Sequence, residues 1–177
     1  MAIDYARIEL LVLDVDGVMT DGRIIISPTG EETKVFHSRD GAGIKYWQRV
    51  GKRVAIITGR GSPAVELRAR ELGIFPVHLH AMDKLPILRT MLVETGMSAE
   101  QTAVMGDDLT DLPMMCHAGL AIAPADAVED VRRRAHYVTA AKGGEGAVRE
   151  AIELILRGSG LWDQVMQRYL SQMEQPQ

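Results

Sequence analysis

The feature that most limits how this 177-residue chain can fold is a recurring unit: a short run, apolar throughout, that ends abruptly in acids, glycines or a hydroxyl. "IELLVLDVDG", "RVAIITGRG" and "TAVMGDD" have that form, and "FPVHLH", "LAIA" and "HYVT" are weaker or shorter versions. Runs that are continuously apolar, rather than alternating, belong to strands covered on both faces. Amphipathic segments with helix punctuation lie between them. "GAGIKYWQRVG" sets Ile44, Trp47 and Val50 at helical spacing, with Gly51 past the end. "SPAVELRARELG" offers Ser62 as N-cap, Pro63 in the first turn and Gly73 as stop. "DKLPILRTMLVETG" repeats the logic, with Asp83 capping, Pro86 in the first turn and Gly96 after it. "TDLPMMCHAG" and "AVEDVRRRA" are shorter helices, and "GEGAVREAIELILRG" puts Val148, Ile152, Ile155 and Leu156 on one stripe. The alternation predicts an α/β fold, a doubly wound, Rossmann-like, mostly parallel sheet flanked by helices.

One segment breaks the alternation. "GRIIISPTGEETKVFH" reads as a β-hairpin over about residues 22–37, with Pro28 and Gly30 in its turn. Nothing else interrupts the pattern, so residues 1–177 read as one domain, with a tail from about 160 that turns helical and then frays in "QMEQPQ". The formal net charge of −4 gives no global positive field for nucleic acid or an anionic membrane. "VRRRAH" reads as an exposed helix surface. A single cysteine, Cys116, excludes an intramolecular disulfide, fits a reducing cytoplasm and reads as a small buried side chain. "MAIDYARIEL" lacks a signal-type apolar stretch, and no run approaches the ~20 residues that span a bilayer. A soluble cytoplasmic protein is expected.

In open parallel sheets, ligands bind beyond the carboxyl ends of the strands. The residues capable of chemistry fall there. The first strand ends at Asp14 and Asp16, the second at Thr58, Gly59 and Arg60, and the fourth at Gly106, Asp107 and Asp108, with Asp111 a turn later. Lys84 opens the helix after the third strand. Asp14, Asp16 and Asp107 held close together would raise one another's pKa, and a hard divalent cation such as Mg2+ removes that conflict. Thr58, the backbone of "GRG" and the Lys84 ammonium suit a phosphate. Asp14 is then placed to attack phosphorus, and Asp16, two residues on, to protonate the leaving alkoxide and deprotonate water. Thr20-Asp21-Gly22 read as a lead into the hairpin, outside the phosphoryl site.

"DVDGVMTDG", "ITGR", Asp83–Lys84 and "GDDLTD", in that order, resemble the four motifs of the haloacid dehalogenase superfamily of phosphotransferases. The resemblance implies that Asp14 is the nucleophile, Asp16 the general acid/base, and that Thr58, Gly59 and Lys84 bind the phosphoryl group. It implies Mg2+ held by the Asp14 carboxylate, the Asp16 backbone carbonyl and Asp107, with Asp108 and Asp111 behind them; which acid of "GDD" touches the metal stays open. Neither the stretch from Asp14 to Thr58 nor that from Thr58 to Lys84 has room for a cap domain. The chain as a whole, notably "DGRIIISPTGEETKVFHSRDGAGIK" and "KGGEGAVREAIELIL", is similar to the capless sugar-acid phosphatases of that superfamily. This implies hydrolysis of an eight-carbon sugar-acid phosphate of lipopolysaccharide biosynthesis, with a nine-carbon acid as the alternative. It implies a homotetramer built through the hairpins, because Ile24, Ile25 and Ile26 are too apolar for an exposed hairpin. It also implies that Gly143 to Gly146 and the tail lie over a neighbour's site, and that Arg60 meets the substrate carboxylate or shapes the phosphate pocket. Glu145 and Lys45 stand where relatives carry Arg. The competing reading, a non-catalytic oligomerisation module, does not require clustered carboxylates that cost stability without metal.

Overall fold

The computed structural model describes residues 3–173, and side chains as far as Ser171. A six-stranded, all-parallel sheet runs through it in the order β5-β4-β1-β6-β7-β8. The strands are β1 (Leu10–Leu13), β4 (Arg53–Ile57), β5 (Val77–His78), β6 (Thr102–Met105), β7 (Leu120–Ala123) and β8 (Tyr137–Val138). The remaining two, β2 (Ile25–Ile26) and β3 (Glu32–Thr33), form the separate antiparallel hairpin. Its paired core is much shorter than the expected span of about 22–37, because past two residue pairs the arms diverge. The chain order steps from β1 to β4 and β5 on one side, then from β6 to β7 and β8 on the other. β1 and β6 are therefore neighbours across the switch point, where the crevice of such a sheet opens.

Among the described residues the α-helices are α1 (Ser38–Arg49), α2 (Pro63–Leu72), α3 (Lys84–Thr95), α4 (Leu112–His117), α5 (Glu129–Arg132), α6 (Ala147–Gly158) and α7 (Trp162–Met173). Strand residues alternate between two cores. Leu11, Leu13, Val54 and Ile56 meet residues of α1, α2 and α6, while Leu10, Val12, Ala55 and Ile57 meet residues of α3 and α4 and Val131 of α5. This two-sided burial is why β1 and β7 are apolar throughout and β4 and β6 are apolar past their first residues, Arg53 and Thr102. The α6 stripe of Val148, Ile152, Ile155 and Leu156 is fully buried. Each such side chain contributes roughly 1.5–3 kcal/mol of transfer free energy.

Ser62 caps α2 by accepting from the Ala64 N–H, and Gly73 closes it in the left-handed region. Lys45 donates to Leu72 O at 2.7 Å and Glu71 O at 3.3 Å, so its cation sits on the α2 C-terminus. Helix α1 begins at Ser38, ahead of the expected Gly41, with Asp40 in its first turn. Its buried carboxylate accepts the Arg149 N–H at 2.8 Å and serves α6, whose own N-cap is Gly146.

Two local expectations fail. Asp83 occupies the N-cap position of α3 but its side chain caps nothing and stays in solvent. Cys116 is exposed, because α4 turns Met114 and Met115 inward instead. Helix α7 packs on its own chain, with Val165 in the core and Tyr46 edge-on to Trp162 and Tyr169. Glu174–Gln177, the end of the segment expected to fray, lie outside the described residues.

Candidate active site

β1 carries Asp14 to the mouth of the sheet, where its N–H continues the ladder to Met105 O at 3.0 Å. A cavity of about 310 Å³ opens there, lined by Asp14, Asp16, Gly59, Arg60, Lys84, Asp107 and Asp108 among others. Most of the expected site residues therefore converge. Thr58 does not face this cavity: it is buried, its N–H on His78 O and its carbonyl accepting from Ala81 N. Gly22 does face it, contrary to the expectation that Thr20-Asp21-Gly22 lie apart, because the chain turns back over the site after Asp16. Ala81, Met82 and Thr110 complete the wall; no residue-type signal marks them in the sequence.

Lys84 is 4% exposed, the reverse of an ordinary first-turn lysine. Its Nζ lies 2.6 Å from Asp111 Oδ1 and 2.9 Å from Asp14 Oδ1. The contact with Asp111 is a hydrogen bond; that with Asp14 is an ion contact without hydrogen-bond direction, since Asp14 Oδ1 has no such partner. Burial opposes the charge on Lys84, but Asp14 and Asp111 outweigh it and hold its pKa above the usual lysine value. The other oxygen of Asp111, Oδ2, accepts the N–H groups of Asp107 and Asp108 at 3.0 and 3.2 Å. Asp111 thus has both oxygens engaged, and it fixes the lysine and the "GDD" backbone together.

Asp14, Asp107 and Asp111 bring carboxylate oxygens within 4.8 Å of one another, with the Lys84 ammonium as their near counter-charge. Burial, reinforced by Asp111, pushes Asp14 up to about 6 even against Lys84. Burial, then Asp14, Asp111 and Asp108, pushes Asp107 up to about 8. Asp14 Oδ1 and Asp107 Oδ1 are buried without a hydrogen-bond partner. A site that raises both acids even with an ammonium beside them is short of positive charge, and carboxylate oxygens so placed fit a hard divalent cation. Asp108 differs: it is exposed and its Oδ1 accepts the Leu109 N–H at 2.8 Å.

Asp16 has a partner that sequence reasoning missed. Lys34, beyond β3, hydrogen-bonds to Asp16 Oδ1, and its Nζ lies 2.9 Å from Glu32 Oε1. Arg60 completes the group, with Nε 3.7 Å from Asp16 Oδ2 and Nη2 3.4 Å from Glu32 Oε1. A single lysine in a hairpin carries no sequence signal for this; the contact exists because the hairpin folds back on the strand end.

Within its own chain the "KGGEG" loop packs on the segment that follows Asp16. Gly143 and Gly144 pack on Gly17 to Asp21 of their own chain. Gly144 donates to Val18 O at 3.0 Å, and Gly143 to Asp126 Oδ1 at 3.0 Å. Glu150 anchors the stretch before it, accepting from Ala140 N, Ala141 N and Tyr137 Oη at 2.8–2.9 Å. Glu145 is exposed.

Residues 73–152 match the haloacid dehalogenase-like hydrolase family. The chain is 48% identical over 151 residues to 3-deoxy-D-manno-octulosonate 8-phosphate phosphatase of Yersinia pestis, spanning 85% of this chain and 81% of that one. It is 44% identical over 158 residues to the enzyme of the same name from Escherichia coli K12, spanning 89% and 84%. The crystal structure of the Moraxella catarrhalis phosphatase of that name, in complex with magnesium ion, phosphate ion and a KDO molecule, superposes with a TM-score of 0.91 at 38% identity. That match covers 94% of this chain and 95% of the other. With the motif residues, the switch-point cavity and these similarities in agreement, the chain belongs to the 3-deoxy-D-manno-octulosonate 8-phosphate phosphatase family of haloacid dehalogenase-like hydrolases.

Proposed function

We propose that this chain hydrolyses 3-deoxy-D-manno-octulosonate 8-phosphate to the free sugar acid and phosphate, with Mg2+, in lipopolysaccharide biosynthesis. The observation that carries this reading is the close carboxylate cluster of Asp14, Asp107 and Asp111, with Lys84 as its near counter-charge and Asp107 Oδ1 buried without a hydrogen-bond partner, in a chain whose relatives bear that name. Asp14 and Asp107 supply the carboxylate ligands and Asp16 its backbone carbonyl; Asp108 and Asp111 stand behind. Asp111 is assigned to that second rank because both its oxygens are engaged. Bound Mg2+ supplies positive charge that screens the carboxylates from the phosphate oxygens and polarises the phosphoryl group.

This chain's own residues do the rest. An Asp14 oxygen attacks phosphorus, the bond to the sugar oxygen breaks, and Asp16 gives its proton to the leaving alkoxide. The product is an aspartyl-phosphate. Water then attacks phosphorus, giving its proton to Asp16, and the bond to Asp14 breaks to free phosphate. Lys84, held by Asp111, balances charge on the phosphoryl oxygens. Gly59, and Thr58 once it can reach the group, add donors. Arg60, half-exposed at the rim, meets the substrate carboxylate.

The cavity is open, and a small substrate needs walls from elsewhere. Ile24, Ile25 and Ile26 are 51%, 47% and 61% exposed, and Val35 nearby is exposed as well. Such an apolar hairpin supports a homotetramer assembled through it. Light scattering at micromolar concentration is expected to give a tetramer; a monomer removes this argument. Among the described residues no helix is long and apolar enough to cross a membrane, and the lone Cys116 supports a reducing, cytoplasmic setting.

The test is a panel of eight- and nine-carbon sugar-acid phosphates scored by specificity constant, with Mg2+ and with a chelator. The eight-carbon 8-phosphate is expected to lead by at least about tenfold, worth about 1.4 kcal/mol at the transition state, and to lose turnover on chelation. A nine-carbon 9-phosphate in the lead reassigns the substrate. No Mg2+-dependent phosphate release from any of them contradicts the reading as a whole.

A further inference from the structure

The hairpin reaches the chemistry through one side chain. Lys34 is 1% exposed in its side chain, and its ammonium bridges Asp16 Oδ1 and Glu32 Oε1. Among the described residues, that is the one hydrogen bond made to the Asp16 carboxylate. The other oxygen, Asp16 Oδ2, is buried and unpaired, with Arg60 Nε 3.7 Å away. Asp16 lines the same cavity as Asp14. The two oxygens therefore differ: Oδ1 is tied to the hairpin, and Oδ2 is left to exchange a proton.

Proton transfer in a transition state demands geometry before anything else. An aspartate just past a strand end has free rotation about its side-chain bonds, and Asp16's own loop gives its carboxylate no hydrogen bond. The hairpin ammonium supplies the missing constraint. We infer that Lys34 is a positioning residue for Asp16, holding Oδ1 so that Oδ2 meets the leaving oxygen in the first half-reaction and the attacking water in the second. This rests on the phosphatase reading above. It makes the hairpin part of the catalytic apparatus as well as of the assembly.

The two half-reactions separate this role from a purely structural one. With p-nitrophenyl phosphate, an Asp14 oxygen bonds to phosphorus, the phosphorus–aryl oxygen bond breaks, and the electron pair leaves on nitrophenolate, which needs no proton. Release of phosphate still requires water to bond to phosphorus, give its proton to Asp16 and break the bond to Asp14. Lys34→Met should therefore spare the first event and slow the second.

The experiment is rapid mixing of Lys34→Met and wild type with p-nitrophenyl phosphate at saturating Mg2+, together with steady-state kinetics on the sugar-acid phosphate. Lys34→Met is expected to give a stoichiometric nitrophenolate burst at the wild-type rate, followed by slow turnover. On the sugar-acid phosphate kcat should fall about 10²-fold, the lower end of what general acid–base catalysis contributes, with little change in KM. An unchanged kcat overturns the inference. So does a burst slowed by the same factor as turnover, which would mean that Lys34 acts on the phosphoryl group or on the fold. If Lys34→Met loses its cooperative melt, Lys34→Ala, which also removes the donor, is judged by the same two readouts. Asp14→Asn separates the levels of failure. Turnover in Asp14→Asn overturns the phosphatase mechanism, whereas wild-type kcat in Lys34→Met with a silent Asp14→Asn overturns the role of Lys34 alone.

Discussion

Asp14→Asn is expected to abolish turnover, by at least about 10³-fold, while the protein stays folded. The carboxamide cannot form the covalent bond to phosphorus, and no neighbouring group is aimed to replace it: both Asp111 oxygens are engaged, and Asp16 is tied to Lys34. The stability side has a definite sign. Asp14's pKa is pushed up to about 6, chiefly by burial and by Asp111, so its ionised form near neutral pH costs the metal-free fold stability. Removing that charge gives up the ion contact with Lys84 but relieves the larger opposing effects. The melting temperature without metal is expected to hold or rise. Retained activity in the folded variant would show that Asp14 is not the nucleophile.

Gly143→Ala is expected to damage the site from a distance. A Cβ at Gly143 would lie 1.8 Å from Gly17 O and 3.0 Å from Thr20 O, and these are backbone atoms, not side-chain ends that can swing away. The Gly17 to Asp21 segment must move. Gly17 itself is in the left-handed region at φ 84°, packed so closely on Asp107 that a Cβ there would lie 2.1 Å from Oδ2. A shift in this segment therefore reaches Asp16 on one side and Asp107 on the other. Overpacking of this kind costs about 1–3 kcal/mol, and a displacement of about 1 Å at reacting groups costs about 10²-fold in rate. Thermal melts and Mg2+ titrations of activity should show a lower melting temperature, reduced kcat and a higher Mg2+ requirement together. A Gly143→Ala protein with wild-type kcat and Mg2+ requirement would mean that the loop does not brace the site.

The sheet and most of the site residues were legible because both write themselves locally. A strand buried on two faces must be apolar where it is covered, and β1, β4, β6 and β7 are, apart from the first residues Arg53 and Thr102. Helix ends leave marks such as Ser62 and Gly73, which the structure uses as expected. Asp14, Asp16, Lys84 and Asp107 could be placed at one edge because parallel topology puts every strand's carboxyl end there.

What was not legible depends on which distant segments meet. Asp40 carries no local mark as the cap of α6, because its partner, Arg149 N, is far along the chain. Lys34 resembles any polar hairpin lysine until the hairpin folds onto Asp16. Asp111 was expected as one more acid behind a metal; its role in tying Lys84 to the Asp107 and Asp108 backbone needs the actual distances. Gly143 and Gly144 look like a flexible loop in sequence and are a close backbone contact in the fold. Cys116 went the wrong way because a short helix with apolar residues on several sides does not declare which of them faces inward.

The central claim is that Asp14 carries the phosphoryl group between substrate and water. The most direct measurement is mass spectrometry of the enzyme acid-quenched during turnover of the sugar-acid phosphate with Mg2+. The prediction is one added phosphoryl group on the peptide containing Asp14, lost on treatment with hydroxylamine and absent in Asp14→Asn. Rapid turnover with the phosphoryl group trapped on another residue, or the same adduct in Asp14→Asn, would contradict it.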